Sequence, residues 1–379
     1  MSVKLTISGD FCITPHYLPG NLFSEKVIGF FQQSDFNIVN LECPLNKEGE
    51  KNKIIKYGPH LQTTDKIFDC LQQLKVGAVT LANNHILDYG IPGLQATIEG
   101  CKKNNIAFTG VGNNLQEAAI PTIIEQNGIK IALINFCENE WSVATGTTAG
   151  ANPLDVIDNV RQIKNAHIIA DIVLVIIHGG HEYYNLPSPR MIKQYRFFAE
   201  QGADAVIGHH THCISGMEVH KGIPIFYGLG NMIFTKASEQ HGWHTGLTLI
   251  LTLEKGQAVQ WQVVPISQAK GNYQVQLLEG IEKEKVLKEV EVYSAIIADE
   301  KKLQTAWKAF VDSRKAQYQY VFSAMNVIPG KYLKGLLKRL GLIKLLLPEK
   351  YIAGIINYIN CEAHLDVSKE VLSSKLLEK

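Results

Sequence analysis

Five histidines lie within 35 residues near the middle of this 379-residue chain, beside apolar runs rather than in a polar tract. They are His178, His181, His209, His210 and His212. The apolar runs at 172–177, 205–207 and 223–227 have the composition of buried strands. Strand ends in an α/β protein deliver side chains into one crevice, and imidazole is a common metal ligand. Any one of these histidines could instead be a satisfied core residue, but the H-x-H spacing of His210 and His212 favours a metal site.

Three earlier strands also end in polar side chains. These strands are predicted at residues 3–8, 36–41 and 78–81. The first is followed by Asp10, the second by Glu42 and the third by Asn84 and His85. An Asn-Asn pair after a strand is by itself more often a turn. Polar groups at three successive strand ends nevertheless favour one shared site.

The order of the predicted elements indicates an α/β fold. Helices are predicted at 24–33, 64–74, 92–104 and 153–170, with an exposed loop at 46–60. The dipeptide Asn127-Gly128 between two apolar runs is a strong hairpin signal, so the sheet is expected to be mixed. A second hairpin, joined at Lys255-Gly256, is predicted to close the domain.

The strand-end residues offer carboxylate, amide and imidazole ligands. They are Asp10, Glu42, Asn84, His85, His178, His210 and His212. This ligand set suits divalent zinc, manganese or iron, and it exceeds what one tetrahedral zinc needs. A two-metal centre fits better, with a bridging carboxylate and a metal-bound hydroxide as the nucleophile. His85 follows a ligand but faces the other way on an extended segment, so it could protonate a leaving group.

Composition excludes several classes of function. The chain is 46% hydrophobic and carries a formal net charge of +1, which argues against nucleic acid as an obligatory partner. Its seven cysteines are scattered and never in a C-x-x-C spacing, which indicates reduced thiols and a cytoplasmic location. We expect no signal peptide and no membrane span.

The composition changes near residue 271. We predict a catalytic domain at 1–270 and a helical C-terminal appendage at 271–379. Within the appendage, residues 331–350 contain six basic residues and one acidic residue, with leucines at helical spacing. This segment is a candidate for peripheral contact with a membrane or a partner protein. Packing on the first domain, with the lysines in solvent, is the slightly favoured alternative.

Several motifs occur in an order that identifies a family. They are Gly9-Asp10, N-L-E-C-P-L at 40–45, L-A-N-N-H-I-L-D-Y-G at 81–90, H-G-G-H-E-Y at 178–183, the stretch from Gly202 to His212, and Y-G-L-G-N ending at Asn231. On these motifs, residues 3 to 265 resemble the CapA family, named for capsule and poly-γ-glutamate synthesis. That family has the fold of calcineurin-like metallophosphoesterases. The resemblance implies a four-layer α/β/β/α sandwich of mixed sheets.

The resemblance also implies roles for the site residues. Asp10 and His212 would bind one metal ion; the other would be bound by Asn84, His178 and His210. Glu42 would bridge the two ions, and His85 would be the catalytic acid. Further ligands, or residues that support the ligands, are expected among Glu182, Cys12, Asn231 and His181.

Two positions depart from the pattern that the resemblance implies. Cys12 occupies the place of a histidine ligand in metallophosphoesterases, and Gly179 occupies the place of a tryptophan in the family. If the first strand continues through Asp10, the Cys12 sulfur shares its face and could bind metal. A small buried thiol that packs as a hydrophobe is the favoured alternative.

The leading hypothesis is a metal-dependent hydrolase acting in capsule, poly-γ-glutamate or exopolysaccharide production. Its substrate would be a polymer or a phosphoester, and the reaction would be phosphoester hydrolysis. One alternative is a scaffold without catalytic activity in a polymer synthesis or export assembly. Another is a metal-dependent amidase or peptidase that acts on a γ-glutamyl polymer. Fold alone does not decide between these functions.

Overall fold

The computed structural model describes residues 2–17, 21–56 and 58–322, and isolated positions between 335 and 359. The chain divides into two compact units, Met1–Thr305 and Ala306–Lys379. The domain boundary expected near residue 270 stays a prediction, although a strand and a helix that follow this position belong to the first unit. Most of the basic segment 331–350 lies outside the described residues.

The described residues form the following strands and helices. The strands are β1 (Ser2–Cys12), β2 (Phe36–Leu41), β3 (Val76–Thr80), β4 (Ala107–Thr109), β5 (Val111–Gly112), β6 (Thr122–Gln126), β7 (Ile129–Cys137), β8 (Gly150–Ala151), β9 (Ile172–His178), β10 (Ala205–His209), β11 (Met217–His220), β12 (Ile223–Phe226), β13 (Asn231–Phe234), β14 (Thr245–Glu254), β15 (Gln260–Gln268) and β16 (Val275–Leu277). The helices are α1 (Glu25–Gln32), α2 (Ile67–Gln73), α3 (Gly90–Lys103), α4 (Leu115–Ala118), α5 (Val156–Ile169), α6 (Pro189–Glu200), α7 (Gly280–Ile297) and α8 (Glu300–Phe322).

Two mixed sheets form the centre of the fold. The first has the strand order β16-β15-β14-β1-β2-β3-β4, with β13 also paired to β1; the second has the order β11-β12-β10-β9-β7-β6. β1 to β4 are parallel, whereas β14 to β16 are antiparallel. The hairpin predicted at Asn127-Gly128 joins β6 to β7, and both residues have the positive φ that a type I′ turn requires. The expectation of mixed sheets is confirmed.

The two sheets pack face to face, with helices on both outer sides. The core between the sheets combines Val3, Leu5 and Ile7 of β1 with apolar residues such as Leu133 and Leu174 of the second sheet. α1 to α3 cover the outer face of the first sheet, and α5 and α6 cover that of the second. The result is the four-layer α/β/β/α sandwich that was expected.

Local signals in the sequence fix where the outer helices begin. The Ser188 side chain accepts a hydrogen bond from the Met191 amide, and Pro189 is the first residue of α6. Serine before the helix and proline at its first position are the usual pattern for a helix start. Asp155 also caps α5, because its side chain accepts from the amides of Ile157 and Asp158. The loops before α5 and α6 follow the ends of β7 and β9.

β1 is interrupted by a bulge at the position that carries the first predicted ligand. Its register with both β2 and β13 shifts around Asp10. The Asp10 amide donates to the Gly230 carbonyl over 3.0 Å. A β-carbon on Gly9 would lie only 1.9 Å from that same carbonyl oxygen, so the close approach of the two backbones requires glycine.

The described residues include no helix that is both long and apolar enough to cross a membrane.

Replacing Gly9 with alanine should destabilise the protein by about 1 to 3 kcal/mol, because the new methyl group collides with backbone that has no rotamer to change. The control is Gly29→Ala in α1, where nothing lies within 4 Å of the new β-carbon. That change should raise stability by up to about 1 kcal/mol, since alanine favours the helix. Urea unfolding of both variants tests the prediction, and equal midpoints for both would contradict it.

Candidate metal centre

The predicted ligands converge at the edge of the sandwich where the parallel strands end. They come from the bulge of β1, the residues after β2 and β3, the end of β9 and the turn after β10: Asp10, Glu42, Asn84, His85, His178, His210 and His212. All of their side chains are buried. Both sheets contribute, so the site spans the interface between the two central layers.

One group of ligand atoms belongs to Asp10, Glu42 and His212. Their ligand atoms lie within 4.8 Å of one another, and no other His, Cys, Asp or Glu trio among the described residues meets that criterion. His212 Nδ1 is 3.4 Å from Asp10 Oδ2, and His212 Nε2 is 3.6 Å from Glu42 Oε1.

A second group is formed by Asn84, His178 and His210. His178 Nε2 lies 3.1 Å from Asn84 Oδ1 and 3.1 Å from His210 Nδ1. Zinc binds nitrogen and oxygen at about 2.0 to 2.2 Å, so two atoms bound to one ion lie roughly 3 to 3.5 Å apart. Both separations are therefore compatible with atoms bound to one ion.

Glu42 shows that the site fits a cation. Both of its carboxylate oxygens are buried and have no hydrogen-bond partner among the described residues. A buried carboxylate without compensation is costly, and such groups in proteins are paired or coordinate metals. Glu42 is also within 4 Å of a nitrogen of both His85 and His212. The residues present therefore fit divalent metal ions.

The backbone of the H-x-H turn is held in an unusual conformation. His210 and His212 have φ of 92° and 52°, a region that costs non-glycine residues about 1 to 3 kcal/mol each. The His210 amide donates to Asp10 Oδ2 over 3.2 Å, which fixes the turn on the first sheet. This geometry directs both imidazoles to the same edge.

Asn231 contacts the Nδ1 side of the His212 ring. Its Nδ2 donates to the Trp243 carbonyl over 3.0 Å, so its Oδ1 faces His212 Nδ1, also at 3.0 Å. The Nδ1 atom must then carry the proton, and Nε2 is left facing Glu42. A metal-ligating histidine is commonly oriented in this way by a carbonyl on its other nitrogen.

His85 lies beside the centre and belongs to a buried polar cluster. Its Nδ1 is 2.7 Å from Asp88 Oδ2, and its Nε2 points toward Glu42 at 3.8 Å. Lys56 forms an ion pair with Asp88, and its Nζ is 3.1 Å from His85 Nδ1. Burial lowers the pKa of His85 to about 4 despite the Asp88 carboxylate. His85 is therefore neutral in the protein alone, with Nε2 directed at the site.

The comparisons with known proteins agree with these motifs. The family described as bacterial capsule synthesis protein PGA_cap matches residues 10–236, well over half of the chain. The chain belongs to this family. All of the strand-end residues predicted as ligands fall inside the matched range.

Two curated relatives are named for capsule synthesis. The PGA biosynthesis protein CapA of Bacillus subtilis is 32% identical over 242 residues, 62% of each chain. The capsule biosynthesis protein CapA of Bacillus anthracis is 30% identical over 223 residues, 56% of this chain and 53% of the relative. The chain thus matches less than two thirds of the length of either relative.

Solved structures with a similar arrangement include phosphatases. A phosphatase from Mycoplasma pneumoniae has 15% identity and a TM-score of 0.43, covering 72% of this chain and 96% of that one. A 5′-nucleotidase precursor from Thermus thermophilus has 12% identity and a TM-score of 0.43, covering 78% of this chain and 60% of that one.

The charges of the centre are strongly coupled. Burial acts to raise the pKa of Asp10, but its contacts with His209 and His212 outweigh burial and hold this pKa well below the usual range. Burial raises the pKa of Glu42 well above the usual range. Burial opposes a charge on His212, yet the Glu42 and Asp10 carboxylates outweigh it and raise the His212 pKa to about 9. A proton on His212 thus partly balances the carboxylates in the protein alone.

The four additional candidates lie around the centre. Glu182 is exposed, and its charge acts on Glu42 and His212 from outside. His181, half-buried, precedes it on the loop after β9. Asn231 contacts His212 directly, as described above. Their roles as ligands or supporting residues stay predictions.

Cys12 is fully buried in the apolar core that also contains residues of α1 to α3. Relative to β2, the extra residue of β1 is Gly9, and the pairing from Asp10 to Phe11 is regular, so the bulge lies before the segment that carries Asp10 and Cys12. Its thiol interacts with Cys43, and burial raises its pKa well above the usual range. Cys12 is not part of the trio formed by Asp10, Glu42 and His212. Metal binding by its thiol stays a prediction.

Three residues at the site were not identified from the sequence. Asn40 donates to Asp10 Oδ1 over 2.8 Å; its position two residues before Glu42 on a strand could have revealed it. Glu140 lies 3.4 Å from the Asn84 amide nitrogen. Lys56 corrects the expectation that 46–60 is an exposed loop, because its side chain is only 2% exposed. Only the fold brings Lys56 and Glu140 to the centre.

Metal binding should release protons, because a bound His212 must lose the proton that its raised pKa retains. Below about pH 9 this proton competes with the metal, so affinity should increase with pH from 7 to 9, by up to about tenfold per unit. Titration calorimetry with Mn²⁺ in buffers of different ionisation enthalpy measures the released protons. A binding enthalpy that is independent of the buffer, with a pH-independent Kd, would contradict the prediction.

Proposed function

We propose that this protein is a metal-dependent hydrolase of phosphoester bonds that acts in the production of a capsule or related exopolymer. The observation that carries the proposal is the buried set of ligand atoms around Glu42, whose carboxylate oxygens have no hydrogen-bond partner among the described residues. Family membership, and the capsule proteins named among the relatives, support the biological context.

The loss of folding stability that this arrangement causes favours a functional centre over a scaffold without catalytic activity. Two buried carboxylates, several buried imidazoles and two non-glycine residues with positive φ lie within one edge of the sandwich. Each feature costs stability, and such features concentrate at active sites. A scaffold that only used its outer surface would gain nothing from them.

Two ions would be held by the two groups of ligands, with Glu42 between them. Asp10 and His212 would hold one ion, and Asn84, His178 and His210 the other. Divalent ions in such a pair supply positive charge for the phosphoryl oxygens and lower the pKa of water. The residues present suit zinc, manganese or iron.

The protein itself would orient the substrate and move a proton. His85 Nε2 faces the centre, and Asp88 holds the opposite ring nitrogen, so the imidazole is fixed for proton exchange with a leaving group. A neutral His85 must first take up a proton, which the negative charge of a phosphoester favours. The surrounding side chains are buried, so water reaches the centre mainly from the edge of the sheets.

The ligand assignment is tested by His210→Ala, with His220→Ala as control, since His220 pairs with Glu200 away from the site. Wild type should hold about two ions per chain after dialysis against Mn²⁺ or Zn²⁺. His210→Ala should hold about one, with bis(p-nitrophenyl) phosphate hydrolysis greatly reduced, because the second group loses one of its three ligands. The control should match wild type in both.

Elemental analysis gives the metal content of each variant. A wild type without bound metal would refute the proposal, and cleavage of a γ-glutamyl anilide but no phosphoester would favour the amidase.

His85→Asn should separate proton transfer from metal binding. The variant should keep both ions and lose about 10²- to 10⁴-fold in hydrolysis rate, the usual contribution of a general acid or base. The rate deficit should shrink for a substrate whose leaving group needs no proton. Loss of metal from this variant would show that His85 is a ligand instead.

A further inference from the structure

His209 is the histidine of the 209–212 run that neither ligand group includes. It is the last residue of β10 and is only 1% exposed. It pairs directly with His178 on the parallel strand β9, so the two side chains leave the sheet on the same face. Ile207, two residues earlier, lies in the core between the sheets. The His209 ring therefore points from the second sheet toward the first.

The polar group that His209 meets there is the Asp10 carboxylate. His209 Nδ1 lies 3.5 Å from Asp10 Oδ1, the oxygen that also accepts from Asn40 Nδ2 at 2.8 Å. The other oxygen, Oδ2, contacts the H-x-H turn through the His210 amide and His212 Nδ1. Nitrogen atoms from both sheets therefore surround the two oxygens of Asp10.

A histidine at this position is otherwise hard to account for. Neither of its ring nitrogens makes a hydrogen bond of regular geometry with the described residues, and the contact with Asp10 is at 3.5 Å. Leaving a buried N–H group unsatisfied is unfavourable, and an apolar side chain in this layer would avoid that cost. The contact with Asp10 explains why an imidazole stands here, because a carboxylate that binds metal commonly needs hydrogen-bond donors that fix its orientation.

We propose that His209 is a positioning residue for the first metal ion. Its Nδ1–H donates to Asp10 Oδ1 together with Asn40, so that the carboxylate is held in a fixed orientation toward the ion. This assignment rests on the proposed metal centre. His209 itself contacts no ion and no substrate.

Two substitutions distinguish this role from space filling. In asparagine the amide nitrogen lies about as far from the backbone as Nδ1, whereas in glutamine it lies about as far as Nε2. His209→Asn therefore retains the proposed donor but leaves a void, and His209→Gln fills more space but displaces the donor. Positioning predicts that asparagine is the better replacement, and space filling predicts the opposite order.

Mn²⁺ binding, measured by calorimetry and elemental analysis, gives the decisive comparison. His209→Asn should bind within about threefold of wild type, while His209→Gln should weaken one of two binding events by about 10- to 100-fold. Thermal melts should show that both variants fold. Binding by the glutamine variant equal to or tighter than that of the asparagine variant would overturn the proposal.

The metal-free protein provides a readout that does not depend on the proposed function. Long-range ¹H–¹⁵N correlation spectra of the histidine rings, assigned with His209→Asn, report which ring nitrogen carries the proton. The proposal expects the proton of His209 on Nδ1. A proton on Nε2 alone would overturn it, whereas failure of the wild type to bind any metal, with Nδ1–H observed, would count only against the metal centre.

Discussion

The Asp10 carboxylate, buried where the two sheets meet, is the interaction on which the site depends. It receives an amide N–H from the turn after β10 and a side-chain N–H from Asn40 of β2, so it joins backbone and side chains of both sheets. Its negative charge also raises the pKa of His212. Without Asp10, the H-x-H turn would lose the acceptor that holds it in its strained conformation.

The fold brings this carboxylate into place by a sequence of local requirements. Parallel strands in both sheets direct their ends to one edge, and face-to-face packing of β1 against the second sheet sets the separation across that edge. The bulge of β1 then turns Asp10 out of the regular alternation, and Gly9 allows the backbone of Gly230 to approach. The same packing that builds the core therefore determines the distances between ligand atoms.

The sequence predicted elements and strand-end residues well because each rests on short-range patterns. The alternation of apolar and polar residues predicted β1, and Asn127-Gly128 predicted the β6–β7 hairpin. Polar residues that follow apolar runs predicted the side chains that surround Glu42. The features that the sequence did not predict depend on contacts between distant segments of the chain. Lys56 is in a loop whose composition resembles solvent-exposed sequence, and its burial follows only from pairing with Asp88. The irregular pairing of β1 with β13 after Asp10 likewise involves a partner strand far along the chain.

The central position of β1 has a consequence for synthesis of the chain. One side of β1 pairs with β2, which follows soon after, but the other side pairs with β14, which begins only at Thr245. A ribosome that adds about 5 to 20 residues per second needs roughly 10 to 50 s to reach β14. During that time an apolar strand with Val3, Leu5 and Ile7 has an open edge, the feature that promotes aggregation between nascent chains. Pairing of this edge therefore has to wait until translation has passed Glu254.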